Sequence, residues 1–137
     1  MSEYFDLRKI MLDAGGYSPE AYVFLRDGLE HTVKMIHGES ALSPDFDDED
    51  SSRHVTGQQL CLGLRDFAVE RYGMLAKTVL SRWGVSRTDD FGAIVFALVD
   101  AGLMRKTERD RIEDFQSVYD FEEAFNAAVG PSIGAAD

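Results

Sequence analysis

Few residues of this chain are of the types that carry chemistry, and their spacing limits what they could do. There is one cysteine, Cys61, and there are three histidines, His31, His37 and His54. Cys61 falls about one turn into an expected helix, where a helix N-terminus or a nearby base such as His54 would have to activate it as a nucleophile. The same position suits a small buried apolar residue, and that is the reading adopted. The histidines share no metal-ligand spacing. His31 is expected on an exposed face, and His37 is expected to support a helix C-terminus. Carboxylates recur in pairs, but Asp89-Asp90 and Glu122-Glu123 stand where acids favour the start of a helix, not where a matched acid and base are marked. The run "DFDDED" at 45–50 places Asp45, Asp47 and Glu49 at alternate positions, like a calcium loop. It lacks the glycine at the sixth position and has Thr56 where the bidentate Glu belongs, so it reads as a solvated acidic loop. No phosphate-binding glycine loop, nucleophile elbow or zinc-protease motif occurs. No catalytic residue, cofactor or metal ligand is therefore assigned.

A second charged pattern appears twice. "LRD" occurs at 25–27 and again at 64–66, each time inside an apolar helix-like stretch. Leu25 and Leu64 fall on core stripes, which leaves Arg26, Asp27, Arg65 and Asp66 on the shoulders. Two similar amphipathic helices explain this without a duplication. A polar clasp between the helices, with Arg65 reaching Asp27, is a candidate use of the charges. Exposed pairs of this kind contribute about 0–1 kcal/mol.

The elements that position these residues are helical. Tyr4, Leu7, Ile10 and Met11 have helical spacing before Gly15-Gly16. Ser18-Pro19-Glu20 supplies a cap, a first-turn proline and a first-turn acid for a helix that runs to His37-Gly38. Residues 39–55 have no periodicity. Thr56-x-x-Gln59 is a capping box that opens a third helix, apolar on more than one side and so expected at the centre. A fourth helix over about 74–83 ends at Gly84, and Thr88-Asp89-Asp90 caps a fifth that ends at Gly102. Beyond Leu103 the signal weakens. Thr107-x-x-Asp110 resembles a cap, and "SVYDF" has strand-like content. Asp120-x-x-Glu123 opens a last helix. The expected fold is mainly α, with five or six short helices in one domain over 1–128. An acidic loop at 39–55, a short helix, a small β-hairpin or both within 104–121, and a loose tail at 129–137 complete it.

The segment 75–106 also resembles a helix-turn-helix with a winged-helix-like end. Gly84-Val85-Ser86 would form its turn, and Arg82, Arg87, Arg105 and Lys106 would meet nucleic acid. Two facts oppose this. The second helix begins with acids, and the whole chain carries a formal net charge of -11, which repels phosphate. The same charge repels anionic lipid, and the apolar run 91–99 is far too short to cross a bilayer. With one cysteine and no apolar leader in "MSEYFDLRKI", a cytoplasmic protein is expected.

The runs "VFLRDGLEHTV", "RHVTGQQLCLGLRDFAVERYG", "DDFGAIVFALVDAGLM" and "IEDFQSVYDFEEAF" resemble a family of small bacterial proteins found mainly in planctomycetes and verrucomicrobia. The resemblance spans about 4–125. It implies a bacterial cytoplasmic protein and brings no activity, cofactor or site residue. The expected function is a non-catalytic protein-interaction or regulatory module, by contact with another protein or with itself. Its surface is expected near the fourth and fifth helices and the aromatic residues Phe115, Tyr119, Phe121 and Phe125.

Overall fold

The computed structural model describes residues 3–38 and 54–128. Most of the expected acidic loop and all of the expected tail lie outside the described residues. Six α-helices occur among those described: α1 Glu3–Gly15, α2 Pro19–His37, α3 Gly57–Tyr72, α4 Ala76–Arg82, α5 Thr88–Asp100 and α6 Phe121–Ala128. Two short 3-10 turns, Gly73–Leu75 and Ile112–Phe115, join them. No strand occurs among the described residues.

The helix starts follow local chemistry. Ser18 accepts from the Glu20 amide ahead of Pro19, and Thr56 and Gln59 exchange both bonds of their capping box. Gly84, with φ 91°, ends α4 and sits against the α1–α2 turn. In the sequence reading the fourth helix starts at 74, but Met74 and Leu75 belong to the 3-10 turn and are 82% and 61% exposed, so Leu75 leaves the expected apolar face.

As expected, α3 is central. It packs against α2, α4, α5 and α6, with Leu60, Cys61, Leu64 and Ala68 buried. Its apolarity on a further side is only partial, since Leu62 is exposed. Around it lie Met11, Phe24, Leu80, Phe91, Ile94 and Leu98. Burial of such side chains contributes about 1.5–3 kcal/mol each.

The two Leu-Arg-Asp helices cross each other closely. A methyl group at Gly28 would lie 2.3 Å from Leu64 Cδ2, and one at Gly63 would lie 1.9 Å from Thr32 Oγ1. Thr32 is buried and donates its hydroxyl to the Gly28 carbonyl at 2.7 Å. The pairings Phe24 with Tyr72, Asp27 with Arg71 and Thr32 with Gly63 fix an antiparallel arrangement. Glycines here let two backbones approach so that neighbouring side chains interlock.

Thr88 does not cap its own helix. It is buried, and its hydroxyl accepts from the Val118 amide at 3.1 Å. The start of α5 is closed instead by Asp90. Its Oδ2 accepts from the Ser86 and Arg87 amides at 2.8 and 3.1 Å, and its Oδ1 accepts from the Tyr17 hydroxyl at 2.6 Å. Asp90 thus ties the α1–α2 turn to α5. Burial and the Asp90 carboxylate push the Tyr17 phenol well above its usual range.

The expected hairpin within 104–121 is absent, and with it the wing of the winged-helix reading. Asp114 accepts from the Arg111 amide, and Ser117 turns the chain with a left-handed φ of 49°. The Tyr119 hydroxyl donates to the Cys61 carbonyl at 2.7 Å. Polar groups of this segment meet helices, so no partner strand forms. Phe115, Phe121 and Phe125 are buried and Tyr119 is partly buried. These aromatics are core and give no partner surface.

Candidate groove between α2, α3 and the loop after α5

The loop that follows α5 builds a concave surface with α2 and α3. Gly102, with φ 80°, reverses the chain, and the Leu98 carbonyl accepts from both the Leu103 and Met104 amides. The segment then crosses toward the start of α3. Thr107-x-x-Asp110, which resembles a cap, closes a turn ahead of the 3-10 turn at Ile112–Phe115: Asp110 Oδ2 accepts from the Thr107 amide at 2.8 Å. Asp110 Oδ1 lies 2.8 Å from His54 Nε2. The His54 carbonyl lies 2.7 Å from His37 Nε2, which donates to it. The end of α2, the lead into α3 and the loop are thereby chained together.

Two adjoining hollows open beneath this loop. The first, about 250 Å³, is floored by Leu29, Val33, Leu60, Val95, Phe96 and Phe115, with His54 and Asp110 on its wall and Arg105 and Lys106 at its mouth. The second, about 360 Å³, lies between Tyr22, Leu25, Arg26 and Leu103. Leu29, Met104 and Arg105 line both and so divide them. The floors are apolar and the mouth is cationic.

Most cations elsewhere are paired. Lys9, Arg26, Arg65, Arg71, Lys77 and Arg87 each have a carboxylate partner. Among the described residues Arg105, Lys106, Arg109 and Arg111 have none, and nor does Arg82 at the end of α4. The first four share the stretch 105–111 with only two acids, Glu108 and Asp110.

The sequence candidates lie apart from one another. Arg82 ends α4 and Arg87 precedes α5, 3.7 Å from Asp89, whereas Arg105 and Lys106 follow its far end. Thirteen helical residues, about 20 Å, separate the two groups. The buried side chains of α5 include Phe91, Ile94, Val95 and Leu98, so it presents little surface to a nucleic-acid groove. Arg26 pairs with Asp27 at 3.3 Å and Arg65 with Asp66 at 3.2 Å. The clasp between helices joins Asp27 to Arg71 at 3.7 Å, not to Arg65.

Cys61 is fully buried, and its thiol is pushed up to about 12, first by desolvation and then by the Asp89 carboxylate. That disfavours the thiolate a nucleophile needs. His31 is half-buried against the Phe67 ring at 5.3 Å, not exposed as expected, and its Nε2 has no hydrogen-bond partner among the described residues. Among the described residues, no group of three His, Cys, Asp or Glu could hold a metal ion, and no helix is long and apolar enough to cross a membrane.

The groove residues that the sequence reading missed are Leu29, Val33, Met104 and Asp110. The density of Arg and Lys over 105–111 was the available signal. Comparison of the chain with protein-family models, with curated proteins and with solved structures finds no match. The resemblance noted from the sequence therefore brings no site to this groove.

Proposed function

We propose that the protein is a non-catalytic binding module that holds a segment of a protein partner in the two-lobed groove. The observation that carries this reading is the groove itself: two apolar hollows side by side, with cations lacking ionic partners at their mouth, on a chain of net charge -11. Apolar concave surface with a few convergent polar groups is the usual form of a binding site. His54 and Asp110 serve the wall, since Asp110 uses both oxygens to hold the loop. The one thiol is sealed away from the groove's work.

A photoreactive residue in place of Met104 tests this in cells, with the same residue at exposed Ser81 as control. The expected result is a protein adduct from position 104 only, with the crosslinked segment identified by mass spectrometry and the adduct lost when Arg105→Glu is added. An adduct with nucleic acid, or equal adducts from both positions, would overturn it.

A further inference from the structure

We infer that the partner segment is acidic and amphipathic: it places two large apolar side chains in the two hollows and carboxylates against Arg105 and Lys106. This rests on the groove being the working surface.

The shape gives the first half. The hollows, about 250 and 360 Å³, are distinct and share Leu29, Met104 and Arg105 in their linings. A single compact ligand would fill one and leave the other wet. A segment with two anchors fills both, as amphipathic peptides do in grooves that take spaced apolar side chains. Met104 stands between them. Its unbranched, polarizable side chain can adjust to either anchor.

The charge gives the second half. The net charge of -11 would by itself favour a basic partner. At physiological ionic strength, however, charges beyond about 8 Å are largely screened, so the groove's near neighbours decide. Of the charged side chains that line the hollows, Arg26, Arg105 and Lys106 are cations and Asp110 is the acid. Asp110 is itself bonded to His54 and to the Thr107 amide, and Arg26 is paired with Asp27. Arg105 reaches both hollows, and a guanidinium at such a point can take a carboxylate in bidentate fashion. A basic segment would bring like charge to this rim, and a neutral one would leave the cations unused.

Selection of a displayed random peptide library on the full chain tests the inference, with a counter-selection on Arg105→Glu/Lys106→Glu. The enriched peptides should carry two large apolar residues and more carboxylates than cations. Their binding should weaken about tenfold or more in the double variant, and likewise when their Asp and Glu become Asn and Gln. The Met104 methyl signal should shift on binding, and the double variant should keep the native melting temperature. Neutral or basic binders that shift Met104 would overturn the acidic assignment and leave the protein-binding reading standing. If no peptide shifts Met104 while decanoate does, the segment is replaced by a small amphipathic anion, and the protein-binding reading falls with it.

Discussion

The helices α2 and α3 meet in two different ways along one crossing. On one side, Gly28 and Gly63 bring the backbones together, and Leu64 and Thr32 fill the space completely. On the other, Leu29, Val33 and Leu60 face hollows that the loop after α5 only roofs. One residue of helical rotation, from Gly28 to Leu29, separates the sealed seam from the open groove. Stability and binding are thus drawn from adjacent stripes of the same helices, and small residues decide which stripe closes.

The largest contrast to test is access. The native thiol of Cys61 should react with a thiol reagent only when the protein opens. A cysteine in place of exposed Leu103, beside the second hollow, should react faster by on the order of a thousandfold or more. Equal rates would dissolve the distinction between sealed interior and open groove.

Overfilling the seam comes next. Gly63→Val meets a buried Thr32 that cannot move aside, and a loss of about 3 kcal/mol or more is expected in urea unfolding. Gain of stability, as expected from helix propensity alone, would show that the crossing can relax. Alkaline pH reaches the interior by titration. The thiol of Cys61 rises from 9.0 to about 12, and the phenols of Tyr17 and Tyr119 are raised from 10.0, all chiefly by burial. The unfolded chain therefore loses these protons first. Stability should be full below about pH 9 and fall progressively as pH rises past 12, with the earliest part removed in Cys61→Ala. A urea midpoint that stays flat to pH 12 would contradict the burial of all three.

Asp90→Ala removes an acceptor shared by one hydroxyl and two amides, at a cost of about 2 kcal/mol, of which Asp90→Asn should recover part. Smallest of all is Met104→Ala. It should cost under about 1 kcal/mol, because the side chain is only partly buried, while still weakening peptide binding. If it instead destabilised the protein like the seam variant, the groove would be core.

Much of the helix pattern was legible because caps act locally. Ser18-Pro19, Thr56 with Gln59, and Gly84 each announce a helix end within four residues. The seam was half legible. Gly28 could be a helix stop or a packing contact, and only the facing Leu64 decides it. What failed depends on distant partners. Thr88 looked like a cap because nothing nearby revealed that Val118 would use its hydroxyl. Val118 and Tyr119 looked like strand because their polar groups are answered by helices thirty and fifty-eight residues away. The groove was illegible for the same reason. Its wall joins His54 to Asp110 across fifty-six residues, and its floor draws on four separate segments.

The bond from Val118 to Thr88 has a consequence for synthesis. Chains fold as they emerge, N-terminal parts first. When α5 first leaves the ribosome, the residues that will cover Thr88 and Cys61 are still inside the exit tunnel. The nascent protein therefore passes through a stage with α1 to α5 assembled and the flank of α3 bare. It stays vulnerable to chaperones, proteases and its own copies until Tyr119 arrives to shut it.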